Sequence, residues 1–289
     1  MADLTGKHAI VTGATNGIGE VTALELAARG ATVTVVSRSE DKCRRTAALI
    51  DRETGSEANY IQADLSSIDD TRRAAAAYRD RFERLDILVN NAGAVFTERK
   101  ESVDGIELTQ ALNHLGYFVL TAGLLDLIKA TAAAHPAWGA RIVNVSSGAH
   151  RSGANWDDPL FEENYTPFAA YGQSKAFNIM FTYDLARRLA GTGVTVNAVH
   201  PGLVATGFGR NNGPLMNVLG ALARPFSRSP EKGAETSVYL AASDEVAGAT
   251  GQYWKDKQAE PSEGGTTDPA NWERMWALSE AWIRAAQPA

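Results

Sequence analysis

Short β-branched runs alternate along this chain with longer segments whose apolar residues recur at helical spacing. The runs predict strands at 8–12, 32–37, 57–62, 87–90, 141–145, 194–200 and 252–254. Helical periodicity falls between them, near 17–28, 41–51, 68–84, 108–133, 170–190 and 230–242. A crossover helix carries the chain back across a sheet, so successive strands of such a pattern run parallel. The predicted fold is therefore α/β: a doubly wound, seven-stranded, mostly parallel sheet with helices on both faces. No repeat, low-complexity tract or Pro/Ser-rich linker interrupts the rhythm, so residues 1–289 read as a single domain.

Three stretches depart from that rhythm. Residues 152–168 are rich in Trp, Phe, Tyr and Pro, and residues 207–229 are apolar and punctuated by Gly and Pro. Long irregular segments in compact domains commonly serve as binding loops or lids. Near the end, 271–285 is amphipathic, with Trp272, Met275, Trp276, Ser279 and Trp282 near one face. A terminal helix closing over the core is expected there.

Composition narrows the functional classes. With 28 Lys and Arg against 34 Asp and Glu, the formal charge is −6, and the basic residues are interspersed with acidic ones. That leaves no electrostatic footprint for nucleic acid. A single cysteine, Cys43, rules out an internal disulfide and a Cys-based zinc site. His8, His114, His135 and His200 show no paired ligand spacing, so no metal is expected. The first residues lack the layout of a signal peptide, and no stretch approaches the roughly 20 apolar residues a membrane span needs. A cytoplasmic location is expected.

Candidate chemistry begins after the first strand, at Thr12-Gly13-Ala14-Thr15-Asn16-Gly17-Ile18-Gly19. Glycines there let the backbone turn sharply and approach a pyrophosphate, whose charge is attracted by the N–H groups and dipole of the following helix. The spacing is one residue longer than the standard dinucleotide fingerprint. An acidic residue about 20 positions further on would favour NAD; here Ser37-Arg38 stands at the end of the second strand. The guanidinium fork matches a 2′-phosphate, which predicts a preference for NADP(H) with NAD(H) still possible. In the plainer alternative Arg38 is a solvated residue paired with Glu40 or Asp41. Asp64-Leu65 either places a carboxylate by the adenine amino group or caps the helix that follows Ser66 and Ser67.

A second constellation lies downstream. Tyr171 and Lys175 are four residues apart at the start of a helix and share a face. A nearby ammonium favours the phenolate and makes proton exchange with a substrate oxygen feasible, though such a pair also arises by chance. Strand 141–145 ends in Ser146-Ser147-Gly148, and residues at the carboxyl ends of parallel strands face the ligand crevice. Ser147 is the expected active hydroxyl. Asn113 lies inside a long helix, where its amide either serves the site or is a polar residue satisfied locally.

Taken together, these motifs resemble the short-chain dehydrogenase/reductase family over essentially the whole chain. The glycine motif, Asn90-Asn91-Ala92-Gly93, Asn113, the Ser147 region, Tyr171 to Lys175 and Pro201-Gly202-Leu203-Val204-Ala205-Thr206 occur in the family's order. The resemblance implies Tyr171 as general acid/base, Lys175 lowering its pKa and holding the nicotinamide ribose, Ser147 orienting the substrate oxygen, and Asn113 holding a water for proton delivery. It implies that Asn90 braces the sheet, that Ala92 and Gly93 flank the cofactor, and that Pro201, Gly202, Val204 and Thr206 lie at its nicotinamide end.

Within the family, Ala111-Leu112-Asn113-His114-Leu115-Gly116, Val145-Ser146-Ser147-Gly148-Ala149-His150 and Val199-His200-Pro201-Gly202 look most like the retinol dehydrogenase and WW-domain oxidoreductase branch. No N-terminal membrane anchor or WW module is expected, so retinoid use and membrane residence are not carried over. Trp254-Lys255-Asp256-Lys257 stands where a Gly pair often follows the last strand. His150 either lines the substrate entrance or serves packing and hydrogen bonding.

Trp156, Phe161, Tyr165 and Phe168, with Phe208, Leu215, Met216, Val218, Leu219 and Phe226, are candidates for an apolar pocket or for ordinary core. The expected activity is reversible hydride transfer between NADP(H) and a carbonyl/alcohol pair on a medium-sized, largely apolar small molecule. Reduction of a conjugated C=C bond and a non-catalytic dinucleotide sensor are the alternatives. The resembling family often assembles through the helices that carry Asn113 and Tyr171, so a homo-oligomer is possible unless lid or tail obstructs it.

Overall fold

The structure, a computed structural model, describes residues 2–204 and 228–286. Its strands are β1 His8–Thr12, β2 Thr32–Ser37, β3 Ala58–Gln62, β4 Ile87–Asn90, β5 Ala140–Val145, β6 Val194–His200, β7 Gln252–Lys255 and β8 Gln258–Glu260. They form one sheet in the order β3-β2-β1-β4-β5-β6-β7-β8. All neighbouring pairs are parallel except β7 with β8. The helices are α1 Gly17–Ala27, α2 Glu40–Thr54, α3 Ile68–Arg79, α4 Leu108–Ala134, α5 Pro167–Arg188, α6 Pro230–Ala242 and α7 Pro269–Ala285.

The period of two along each strand divides the core between the faces. Ile10, Leu88 and Ile142 point into one layer, with α3, α4, α5 and α7; their neighbours Val11, Val89 and Val143 point into the other, with α1, α2 and α6. Turn chemistry sets most helix starts. Ser39, Ser67, Thr166, Ser229 and Asp268 each accept a backbone N–H of the first turn, and proline opens α5, α6 and α7.

The sheet has eight strands where the periodicity predicts seven. The additional β8 is only three residues long, and it is reached by a two-residue turn with Asp256 and Lys257 both in the left-handed region, φ 50° and 62°. Such hairpins are signalled by Asn-Gly or a similar glycine pair; Asp-Lys carries no such signal. Tertiary contacts hold it instead: the Arg228 guanidinium pairs with the Asp256 carboxylate (Nη2 to Oδ2 3.0 Å), and the Lys257 N–H donates to Thr236 Oγ1 at 3.2 Å.

α4 corrects a second expectation. By length and composition it is apolar enough to cross a membrane, and half of its most apolar window is buried. Its packing accounts for that composition: Phe118, Leu120, Leu124 and Ile128 are buried in the core layer between the sheet and helices α3 and α5. α4 is also not uniformly α-helical. Residues Ala111–Leu115 form a π turn, closed by the Gly116 N–H on the Ala111 carbonyl. Gly116 is required at that point, because a Cβ there would meet the Leu65 carbonyl oxygen at 2.7 Å. α3 ends five residues before the expected limit, where the Tyr78 hydroxyl turns back to donate to the Arg84 carbonyl at 3.1 Å.

β1 lies between β2 and β4, so the chain leaves β1 on one side and β4 on the other. The crevice at their carboxyl ends is the topological switch point where ligands bind in open α/β sheets.

Candidate active site

The glycine motif occupies that crevice. Gly13 and Gly17 have φ of 64° and 57°, values that disfavour any side chain. A Cβ on Gly13 would lie 2.8 Å from Ala92 Cα, and one on Gly19 2.4 Å from Asn91 Nδ2. The α1 N-cap, Asn16, makes no side-chain hydrogen bond to the helix, so the first N–H groups of α1 remain open to an anion. Thr15 Oγ1 lies 3.1 Å from Ser37 Oγ, joining the turn to the end of β2. The cradle therefore fits a dinucleotide pyrophosphate.

Two residues outside the expected set hold the cradle in place. Thr12 Oγ1 accepts the backbone N–H groups of Asn91 (2.8 Å) and Ala92 (3.0 Å), and Asn91 Nδ2 donates to the Thr12 carbonyl at 2.8 Å. The loops after β1 and β4 are thus stitched together across the switch point. Both residues lie in the quoted motifs; only the pairing of β1 with β4 reveals their role. Below them, buried Asn90 donates to Thr121 Oγ1 (3.0 Å) and Asn144 Oδ1 (2.9 Å), and Asn144 donates to Thr182 Oγ1 (3.0 Å). That row joins α4, β4, β5 and α5.

Asn113 sits in the π turn and reads the next loop. Its Oδ1 accepts the Ala94 N–H at 2.8 Å, while its Nδ2 donates to the Ala94 carbonyl (2.9 Å) and to Ser174 Oγ (3.1 Å). Its own carbonyl accepts from Asn178 Nδ2 at 2.9 Å. Both amide hydrogens are engaged, so Asn113 acts here as a brace for the segment beside Gly93. A Cβ on Gly93 would lie 3.4 Å from Lys175 Nζ, so bare backbone leaves open the space that the ammonium faces.

Ser147 closes β5 and caps the short 3₁₀ turn Gly148–Ser152, its Oγ accepting the Ala149 N–H at 3.2 Å. Its neighbour Ser146 is buried and donates to the Lys175 carbonyl at 2.8 Å, which leaves Ser147 as the hydroxyl facing the crevice. Burial pushes the Tyr171 phenol's pKa up to about 12, against a smaller lowering by the nearby Ser147 side chain. Lys175 Nζ donates to the Val145 carbonyl at 3.0 Å and stands 5.6 Å from the Tyr171 ring. Burial lowers its pKa to about 7. In this structure, then, desolvation of both groups outweighs the expected lowering of the tyrosine by the lysine.

At the end of β2, Arg38 is exposed and makes no ion pair among the described residues; Glu40 is taken by Arg44 at 3.0 Å. Asp64 Oδ1 is committed to the turn, accepting the N–H (3.0 Å) and hydroxyl (2.7 Å) of Ser66, and Ser67 caps α3. Leu65 is buried against α4. Past β6, Gly202 has φ 83° and packs under the Arg228 side chain, while Val204 bridges to Arg228. Ile18 and Val204 both reach the space over Gly233. Pro201 is buried. Thr206 and the expected lid residues Phe208 to Phe226 lie outside the described residues.

The aromatic segment divides by role. Phe161 is buried, Trp156 packs on Phe177 with ring centroids 5.5 Å apart, and the Tyr165 hydroxyl donates to the Phe96 carbonyl at 2.7 Å. Phe168 alone projects outward, 76 % exposed and one turn before Tyr171. Among the described residues no group of three or more His, Cys, Asp or Glu side chains is placed to hold a metal ion.

A dinucleotide cradle and a Ser-Tyr-Lys set in one crevice of a doubly wound sheet define a nicotinamide-dependent oxidoreductase, and the short chain dehydrogenase family profile matches residues 7–215. The chain belongs to that family, whose members bind NAD(P) and act on alcohol and carbonyl groups. Its sequence falls with the retinol dehydrogenase branch. Human retinol dehydrogenase 13 is 39% identical over 99% of this chain and 87% of its own length. Mouse retinol dehydrogenase 12 is 37% identical over 96% and 86%. Among solved structures, the Pseudomonas aeruginosa RhlG/NADP active-site complex is 33% identical, with a TM-score of 0.69 over 91% of this chain and 97% of that one. An uncharacterized protein from Mycobacterium paratuberculosis is 29% identical with a TM-score of 0.76, over 100% and 97%.

Proposed function

We propose that the protein is an NADP(H)-dependent oxidoreductase for a carbonyl/alcohol pair on a medium-sized, largely apolar substrate. The observation that carries this reading is that Lys175 Nζ stands 5.6 Å from the Tyr171 ring and faces Gly93 in the crevice whose glycine cradle and Ser147 hydroxyl share the same end of the sheet. When bound, the dinucleotide supplies or accepts the hydride. Gly13, Gly17 and Gly19 would admit its pyrophosphate, Arg38 its 2′-phosphate, and Lys175 its nicotinamide ribose.

In the reducing direction Ser147 holds the carbonyl oxygen by a hydrogen bond, and Tyr171 donates its phenolic proton to that oxygen as negative charge develops there. In the oxidising direction the same phenolate takes the alcohol proton. Lys175, as an ammonium, stabilises the phenolate between these steps. Arg38, unpaired among the described residues, supports the NADP(H) preference. Phe168, one turn before Tyr171, and Leu203, in the turn after β6, are exposed apolar side chains, which supports an apolar substrate, in line with the alcohol in the names of the retinol dehydrogenases it resembles.

Fluorescence titration with NADPH and NADH, followed by a panel of ketones, aldehydes and an enone, tests the reading. NADPH-selective binding, with oxidation dependent on bulky carbonyls and an allylic alcohol formed from the enone, is the expected result. Turnover of small polar ketones alone would sink the substrate class, a saturated ketone product would redirect the chemistry to the C=C bond, and tight binding without turnover would favour a sensor.

A further inference from the structure

Two histidines that the proposed mechanism does not use lie on either side of Ser147, and they hold the two ends of a single peptide group. The Ser147 carbonyl and the Gly148 N–H belong to the same peptide unit. His150 Nδ1 lies 2.7 Å from the Ser147 oxygen, and His150 Nε2 accepts the Glu263 N–H at 3.1 Å. A carbonyl only accepts and a backbone N–H only donates, so His150 carries its proton on Nδ1. His200 has the opposite arrangement. Its Nδ1 accepts the Gly148 N–H at 3.2 Å and the Gly202 N–H at 3.3 Å, which places its proton on Nε2.

Both rings are fixed by their surroundings. His150 is buried and packs against Tyr253 with ring centroids 4.9 Å apart. His200 ends β6, and its ring lies so close to Gly148 that a Cβ there would sit 3.3 Å from Nε2. His150 reaches the Ser147 carbonyl within its own 3₁₀ turn, where its backbone N–H also donates to that oxygen at 3.2 Å, while its other nitrogen meets Glu263, 113 residues away, and His200 is 52 residues from Gly148.

We propose that His150 and His200 are positioning residues that clamp the Ser147–Gly148 peptide in opposite neutral tautomers and so aim the Ser147 hydroxyl at Tyr171. The proposal rests on the reading of Ser147 and Tyr171 as the acid/base pair. A serine hydroxyl turns on one bond from its backbone, so a fixed peptide leaves only that torsion to set where the oxygen points. The clamp also joins three otherwise separate pieces to Ser147: the end of β6, the Gly202 turn and the tail segment at Glu263.

The direct test is a two-bond ¹H–¹⁵N correlation spectrum of the full-length, ¹⁵N-histidine-labelled protein at pH 7, with signals assigned from His150→Asn and His200→Asn. The expected spectrum shows one ring protonated on Nδ1 and the other on Nε2. Either ring in the reverse tautomer, or averaged between tautomers, overturns the clamp. Kinetics supply the second test. Asparagine places an amide group near Nδ1, donating at 150 and accepting at 200, whereas leucine does neither. His150→Leu and His200→Leu are expected to lower kcat by about 10- to 100-fold with the NADPH dissociation constant held, since a misplacement of about 1 Å can cost 10²-fold. The asparagine variants should recover a substantial part of that loss. Equal losses in leucine and asparagine variants, or leucine variants with wild-type kcat, would refute positioning. If the leucine variants fail to fold, the spectrum and the asparagine variants still decide. A wild-type protein with the two opposite tautomers but no carbonyl turnover would overturn the proposed reaction and leave the clamp standing.

Discussion

Nε2 of His114, in the middle of the π turn, lies 2.7 Å from Oγ of Ser279 in α7, across 165 residues of sequence. This contact fastens the last helix over the helices that carry Asn113 and Tyr171. Around it Met275 and Trp282 are buried, and Trp276 lies edge-on to Phe118 at 4.8 Å. α7 therefore covers an aromatic face of α4 and α5 from within the same chain. Met275→Ala is expected to cost about 2–5 kcal/mol and lower Tm by several degrees. Truncation before Pro269 should uncover Phe118, Phe177 and Phe181 and drive association, visible by sedimentation velocity as a shift from the full chain. An unchanged sedimentation profile in the truncated protein would show that α7 does not guard this face.

Tyr171→Phe removes only the phenolic oxygen. Turnover should fall by about 10²- to 10⁴-fold while NADPH binding is largely retained. Near-normal steady-state rates would remove Tyr171 from the acid/base role.

Arg38→Asp exchanges the guanidinium proposed to hold the 2′-phosphate for a carboxylate. Loss of a charge-assisted contact of about 1.5–3 kcal/mol predicts NADPH binding weaker by roughly 10- to 100-fold, with NADH unchanged or better. Titrations with both cofactors check this, and an unaltered ratio would make Arg38 a spectator.

Burying Lys175 costs stability. Its folded pKa of about 7 lies below the ordinary 10.5, so the folded protein binds fewer protons than the unfolded chain between these values. Stability therefore rises with pH across that window, and the destabilisation is greatest below about pH 7. Lys175→Met should raise Tm at pH 7 and abolish activity, with the gain fading toward pH 10.5. The Val145 carbonyl retains a contact from Asn178 Nδ2 at 3.4 Å in its place. Thermal melts at pH 7 and pH 10 read the difference; a lower Tm at pH 7 would contradict the desolvation argument.

The histidines predict acid sensitivity of the same sign. Burial lowers His114 to about 3 and His200 to about 4, and it lowers His8 and His150 as well, against an ordinary 6.5. Each is a base that the fold keeps neutral, so stability present above pH 6.5 is lost as pH falls toward 4. The urea midpoint should drop steeply between pH 6.5 and 5. His200→Asn and His150→Asn should flatten that slope, and a pH-independent midpoint would count against buried neutral imidazoles.

The strands, the order of elements and the motifs of the candidate site were legible because they depend on neighbours within a turn or two. Val33, Val35 and Val36 announce β2 by β-branching, Gly13 and Gly17 announce a turn that only glycine makes easily, and Ser39, Ser67 and Thr166 announce helix starts. β8 was not legible, since Asp256 and Lys257 are held in the left-handed region by Arg228 and Thr236 from distant parts of the chain. Nor was the π turn, whose displaced Asn113 carbonyl is met by Asn178 of another helix.

Residue type and spacing settled that a glycine-rich strand-to-helix turn, a hydroxyl pair and an ammonium exist in this chain, because each is written in a short motif. Which groups meet, and in what protonation state, was left to the sheet order. Pairing β1 with β4 makes Thr12 a bridge to Asn91 and Ala92, and pairing β5 with β6 brings His200 onto the peptide of Ser147. Burial produced by that packing then moves Tyr171 upward and Lys175 downward. Hydrogen bonds and desolvation act over a few ångströms of space, and only the folded chain brings residues so far apart in sequence within that range.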